Sequence, residues 1–220
     1  MLKYPYLVLD HDDTVVQSEA TINYPYFCYI LDQFRPGQII TLQQYTHDCC
    51  NLGFVEMCRQ KYHFTDQELA QEYAGWKEYI RTHIPAPYPG IERVIRQQKA
   101  LGGILCVVSH SGSENITRDY ATHFGILPDD IYGWDLPEHQ RKPSAYPLEQ
   151  IMAKYHLRPD EILVVDDMKP AYDMARKVGV PVAFAQWGKT DYPEVCTLMR
   201  SLCDFSFDTP KALEDFLFCV

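Results

Sequence analysis

The chain is poor in positive charge: 20 lysines and arginines stand against 30 aspartates and glutamates, a formal net charge of −10. That balance repels phosphate backbones and anionic lipid, so neither nucleic acid nor a membrane surface is an expected partner, although a small anion can still bind at a local positive site. No apolar run reaches the length of a membrane-spanning helix, and the start of the chain lacks the basic flank and small-residue cleavage site of a secretory signal. A cytoplasmic location is therefore the expectation. The 8 cysteines form no C-x-x-C pair, only the adjacent Cys49 and Cys50, which fits reduced packing thiols better than a disulfide framework or a zinc site. The 8 histidines show no H-x-x-x-H spacing either, and no internal repeat or low-complexity segment is present.

What the chain does have is apolar material: 46% of its 220 residues are hydrophobic, enough for a sizeable core in one large domain or a domain with an insert. Four short continuous apolar runs, Pro5–Asp10, Ile104–Ser109, Ile162–Asp166 and Val182–Ala185, read as strands buried on both faces. Helical patterns fill the later gaps, at Ser113–Phe124, Pro147–His156 and Pro170–Val178, so a Rossmann-like parallel sheet with helices on both faces is the expected α/β core. Weaker signals place further strands at Asp129–Trp134 and Asp204–Phe207 and a last helix at Thr209–Phe218.

The first gap is of another kind. Much of it is helical in pattern: Glu19–Phe34, then roughly Leu42–Tyr62 with a break near Gly53, then Asp66–His83, the last opened by a Thr65/Glu68 capping box. Leu69, Tyr73, Trp76 and Ile80 are expected on one face of that helix. The stretch IPAPYPG at 84–90 ends the block and leads to a helix at Ile91–Leu101. The expected organisation is a core of residues 1–16 and 85–220 with a small all-helical domain, 17–84, inserted after the first strand.

The first strand runs straight into acids, in YLVLDHDDTVV. In an open parallel sheet the carboxyl ends of the strands share one edge, where ligands bind. Asp10 and Asp12 close the first strand and Asp166 and Asp167 the third, so neighbouring strands would bring together carboxylates that cannot all stay ionised unless something positive joins them. Hard oxygen donors of this kind suit Mg²⁺, which takes one or two carboxylates and completes its octahedron with water and substrate phosphate. Ser109 ends the second strand at the same edge, ahead of a helix whose first amides could bind an anion, and Lys142 in QRKPSAYP could neutralise a phosphoryl oxygen. Singly, each has a plainer explanation: aspartates after strands make turns and caps, and a loop lysine is usually solvated, with Arg141 a rival for any anion. The GKT at 188–190 lacks the upstream glycine of a phosphate-binding P-loop, Ala183 standing there instead, and is set aside.

Taken in order, D-x-D-x-T at Asp10, Asp12 and Thr14, the strand-end Ser109, Lys142 with Pro143, and the pair Asp166 and Asp167 resemble the haloacid dehalogenase (HAD) superfamily, in its phosphatase branch with a helical cap. The segments PYPGIERVIRQQKALGG and DDMKPAYDMARKVGV are also similar to the family's. The resemblance implies a Mg²⁺-dependent phosphatase of a small phosphorylated metabolite, similar to phosphoglycolate phosphatases. Asp10 would be the nucleophile and Asp12 the general acid and base; Ser109, His110 and Lys142 would hold phosphate; Asp10, Asp12, Asp166 and Asp167 would hold the metal. It also leaves open a β-phosphoglucomutase-like mutase or a 5′-nucleotidase. A phospho-accepting signalling domain is a different class with similar parts, but in that class the acid pair comes first. A monomer or weak homodimer is expected. Three residues depart from the family pattern: Asp13 replaces the commoner Gly, His11 lies between the two aspartates, and His110 follows the serine where Asn is frequent. Asn51–Val55 lacks the Ser-Arg pair of the sugar-phosphate mutases, which favours hydrolysis.

Overall fold

Strand β1 (Tyr6–Leu9) is hydrogen-bonded in parallel on both sides, to β2 (Ile104–Val108) and to β4 (Ile162–Asp166). In the computed structural model, which describes residues 2–218, β3 (Asp130–Tyr132), β5 (Val182–Ala185) and β6 (Phe205–Phe207) complete a parallel sheet of order β3-β2-β1-β4-β5-β6. The order reverses direction at β1, and such a switch point opens a crevice beyond the strand ends.

Alternate residues along the inner strands serve opposite faces, which is why these segments read as unbroken apolar runs. Leu7, Leu9, Leu105, Val107, Leu163 and Val165 join α5 (Ile91–Ala100), α6 (Ser113–Phe124) and α10 (Pro210–Phe218) in one core layer. Val8, Cys106, Val108, Ile162 and Val164 join α7 (Tyr146–Tyr155) and α8 (Lys169–Arg176) in the other. One helix was not expected from the sequence: α9 (Pro193–Leu202), which opens with Pro193 and buries Val195, Cys196 and Met199. Proline in the first helical turn and this apolar spacing are both legible signals in retrospect. Strand β3 is also shorter than the expected segment Asp129–Trp134.

The chain divides into two compact units, one made of the residues up to Gln17 together with those from Pro87 onward, the other of Ser18–Ala86. The second unit is helical: a π-helical turn Glu19–Asn23, then α1 (Tyr24–Phe34), α2 (Leu42–Leu52), α3 (Phe54–Tyr62) and α4 (Asp66–Thr82). Its core is aromatic, with Phe27 buried among the rings of Tyr45, Phe54, Tyr62 and Phe64. The break between α2 and α3 falls at Gly53, whose φ of 79° is available to glycine at little cost. The Thr65/Glu68 capping box starts α4, and Arg35 holds both oxygens of Glu68, at 2.7 and 3.1 Å. No disulfide joins the described cysteines, and no described helix is long and apolar enough to cross a membrane.

The buried face of α4 is rotated from the expected one. Glu72 and Ile80 are buried, with Leu69, Trp76 and Tyr79 against the core, while Tyr73 is left out of it. The rotation follows from a close approach of α1: the Tyr26 hydroxyl donates to the Glu72 carbonyl at 3.1 Å, and a Cβ on Gly75 would lie 2.2 Å from that hydroxyl oxygen. Burial pushes the Glu72 carboxyl up to about 8. The folded protein therefore holds this proton more tightly than the unfolded chain, and stability falls as pH rises from the ordinary glutamate range toward 8. Glu72→Gln is expected to match wild type near pH 4.5 and to exceed it by roughly 3–5 kcal/mol at pH 8 and above. Denaturant unfolding of both proteins across that pH range checks it; parallel curves would refute it.

Candidate active site

With Leu9 level with Val107 on one side and Val165 on the other, the residues that follow β1, β2 and β4 emerge together at one edge. Asp10 extends the ladder, its amide donating to the Val165 carbonyl at 2.9 Å. Asp166 closes β4 and Asp167 follows it; carboxylate oxygens of Asp10, Asp166 and Asp167 lie within 4.8 Å of one another, and all three residues are buried. Such a cluster needs a cation.

Lys142 supplies one from the loop after the 3₁₀ turn Glu138–Gln140. Its buried Nζ donates to Asp10 Oδ1 at 2.9 Å and to Asp166 Oδ2 at 2.7 Å. Burial opposes the ammonium, but the two carboxylates outweigh it and hold the Lys142 pKa above the usual lysine range. For Asp10, burial acts upward and is overcome by Lys142 and by hydrogen bonds from the His11 amide and the Ser109 side chain, so its pKa lies below the ordinary value. Asp166 goes the other way: burial, with Asp10 and Asp167 close by, raises it well above the ordinary value despite Lys142. Its second oxygen, Oδ1, caps the turn into α8 by accepting from the Met168 amide at 2.8 Å.

Ser109 is buried next to Asp10, and its Oγ accepts from the Ser111 amide at 3.2 Å. Asp12 is partly exposed, and its Oδ2 accepts from the Ser111 hydroxyl at 2.6 Å. His110 is held by a backbone carbonyl and an aromatic ring: Nε2 lies 2.9 Å from the Lys142 carbonyl and the ring stands edge-on to Trp134. Burial and the Lys142 ammonium push its pKa down to about 4, so the imidazole is neutral at neutral pH and adds no positive charge for an anion. Thr14 is buried with its hydroxyl 3.4 Å from Asp167 Oδ1.

Two features escape sequence reasoning. The first is Lys189, set aside with the failed P-loop pattern. It is fully buried, and its Nζ lies 2.8 Å from Asp13 Oδ2 and 2.8 Å from Asp167 Oδ2. Burial, offset in part by Lys189 and reinforced by Asp10 and Asp13, puts the Asp167 carboxyl at about 7. The second is an anchor for the loop itself. His11 Nε2 lies 3.1 Å from Asp119 Oδ2 on α6, both side chains being buried, and Arg118 Nε donates to Asp119 Oδ1 at 2.7 Å. The His11 carbonyl meanwhile accepts from the Val15 and Val16 amides, closing the turn that carries Asp12 and Asp13. A partner 108 residues away leaves no periodic trace in sequence.

The chain is similar to known proteins at two levels, sequence family and fold. The family model for haloacid dehalogenase-like hydrolases matches residues 7–185. Among solved structures, a protein assigned as a phosphoglycolate phosphatase from Lactobacillus plantarum superposes with a TM-score of 0.76 at 17% identity, over 98% of this chain and 100% of that one. One with the same assignment from Haemophilus somnus 129pt gives 0.73 at 19% identity, over 98% and 99% of the two chains. CbbY from Rhodobacter sphaeroides, in complex with phosphate, gives 0.75 at 16% identity, over 97% and 96%. At these identities the likeness is one of fold. No curated protein matches the sequence significantly.

Removing Lys142 strands two buried carboxylates. Lys142→Met is expected to cost about 3–5 kcal/mol of stability at neutral pH, the usual price of breaking a buried ion pair on one side. Denaturant unfolding measures this, and a loss below about 1 kcal/mol would mean that the lysine is solvated rather than paired.

Proposed function

Because the chain belongs to the haloacid dehalogenase-like hydrolase family, we propose that it is a Mg²⁺-dependent phosphatase hydrolysing a small phosphomonoester through an aspartyl-phosphate on Asp10. The observation that carries this reading is the buried carboxylate group of Asp10, Asp166 and Asp167, close enough together to share one ion, with Lys142 on the nucleophile. The donor set is all oxygen, as Mg²⁺ prefers. The Asp10 and Asp167 carboxylates and the Asp12 carbonyl would hold the ion, with Asp166 reaching it directly or through water. Bound there, Mg²⁺ would offset the repulsion between an anionic nucleophile and the phosphate oxygens.

In the first step an Asp10 oxygen attacks phosphorus as the bond to the leaving oxygen breaks, and Asp12 gives that oxygen its proton. In the second, Asp12 takes a proton from water, the water oxygen attacks phosphorus, and inorganic phosphate leaves with Asp10 regenerated. The Ser109 hydroxyl, the backbone amides beyond Asp10 and the Lys142 ammonium would carry the charge on the transferring oxygens. The low pKa of Asp10 supports its role as an anion ready to attack, and the partial exposure of Asp12 supports one in contact with substrate and water. The phosphate-bound CbbY structure, similar in fold, supports the phosphoryl chemistry. We assign the helical unit Ser18–Ala86 the part of the family's inserted cap domain, and the protein to the cytoplasm as a monomer or weak homodimer.

A panel of small phosphomonoesters with Mg²⁺ tests the proposal. Wild type is expected to turn over at least one of them, to stop on chelation of the metal, and to release its phosphate to water. Asp10→Asn is expected to show no turnover, and Asp12→Asn a loss of about 10²–10⁴-fold. Asp10→Asn working at the wild-type rate would remove the nucleophile and the mechanism with it.

A further inference from the structure

Asp13 and Lys189 depart from the arrangement just described in a related way. Asp13 stands where the resembling family commonly has glycine, and adds a negative charge next to the metal ligands. Lys189 comes from the turn after β5, far away in sequence, and adds a positive one. The pair thus leaves the net charge of the site unchanged. The contact is built by backbone as well as by charge: Trp187 Nε1 donates to the Thr14 carbonyl at 2.9 Å, and a Cβ on Gly188 would lie 2.0 Å from the Asp13 carbonyl oxygen. The turn is pressed against the Asp13–Thr14 loop, and only a glycine at 188 allows it. Asp13 has a φ of 53°, a left-handed conformation that Asp tolerates better than most residues. The Lys189 backbone is fixed as well, its amide donating to the Gln186 carbonyl at 2.8 Å and its carbonyl accepting from the Tyr192 amide at 3.0 Å. Its ammonium therefore reaches Asp13 and Asp167 from a fixed backbone, and the residue is fully buried.

We propose that Lys189 acts as a selectivity residue: by pairing with Asp13 it keeps that carboxylate out of the metal's coordination shell and so favours Mg²⁺ over larger divalent cations. This rests on the metal reading above and concerns residues to which that reading gives no part. Mg²⁺ is satisfied by one or two carboxylates, whereas Ca²⁺ takes six to eight oxygens at longer distances and gains from each additional carboxylate. Asp13 is the carboxylate at hand, since it shares one ammonium with the proposed ligand Asp167. A cation already seated on Asp13 removes the extra donor that Ca²⁺ would recruit, and costs Mg²⁺ little.

Titration calorimetry of Mg²⁺ and of Ca²⁺ into the full-length protein reads the ratio of the two affinities without reference to activity. Wild type is expected to prefer Mg²⁺. In Lys189→Met the ratio should move toward Ca²⁺ by about tenfold, as Asp13 becomes a ligand. Asp13→Gly combined with Lys189→Met should return it to within about threefold of wild type, because the extra donor is gone. Asp13→Gly alone leaves Lys189 seated on Asp167 and should weaken Mg²⁺ about tenfold, an arm that decides the matter if Lys189→Met does not fold. If wild type binds Mg²⁺ but the ratio is the same in Lys189→Met, or the double variant keeps the shift, or Asp13→Gly alone leaves Mg²⁺ affinity unchanged, the inference fails while the metal site stands. If wild type binds neither cation, the metal site fails and the inference with it.

Discussion

The edge of the sheet gathers more negative charge than it can hold without help. Parallel pairing of β1 with β4 obliges the acids after one strand to lie beside the acids ending the other, and their burial means that solvent screens them poorly. A cation must therefore come from elsewhere in the chain, and two do. Lys142 arrives from the loop before α7 and Lys189 from the turn after β5. Each takes one carboxylate from the loop after β1 and one from the end of β4: Asp10 with Asp166, and Asp13 with Asp167. The same two ammonium groups that make the cluster tolerable thus fasten the two strand ends to each other. Folding the sheet and assembling the site are one process, because no segment alone carries both a carboxylate and its counter-ion.

How much of this could be read from the residues depended on whether the signal was local. Asp10, Ser109 and Asp166 are legible because a continuous apolar run points to its own last residue, and the parallel order of strands then gathers those ends. Lys142 is legible only as a member of the ordered set, since nothing around it distinguishes a buried lysine from a solvated one. Lys189 is hidden for a sharper reason: its neighbours look like a fragment of a glycine-rich phosphate loop, whereas its position comes from a glycine that lets one backbone touch another. The His11–Asp119 anchor and the rotated face of α4 depend on partners in distant elements, the first on α6 and the second on the hydroxyl of Tyr26. Helix α9 is different, since its proline start and apolar spacing are local signals present in the sequence.

The two charge pairs also explain why the site has a defined shape before substrate arrives. An ammonium held by two buried carboxylates sets the distance between them, and the His11–Asp119 contact fixes the far side of the same loop to α6. Groups held in this way need no reorganisation when charge develops in the proposed phosphoryl transfer, which is where electrostatic stabilisation is most effective.

Asp12 is held by other means, and the contrast bears on its proposed part in the reaction. It is partly exposed, and one of its oxygens takes a neutral donor, the Ser111 hydroxyl, where Asp10 and Asp166 take the Lys142 ammonium. A charged donor favours the ionised form of a carboxylate; at Asp10 it overcomes burial, whereas at Asp166, with Asp10 and Asp167 close by, it does not. A nucleophile gains from that bias, since it must stay an anion until it attacks. A group that gives up a proton in one step and takes one back in the next does not, because it must be found in both forms within a single cycle. The sheet edge thus places two aspartates two residues apart in unlike surroundings, one paired with a buried ammonium and one in contact with a hydroxyl and with solvent. That difference in surroundings supports the proposed division of the chemistry between them.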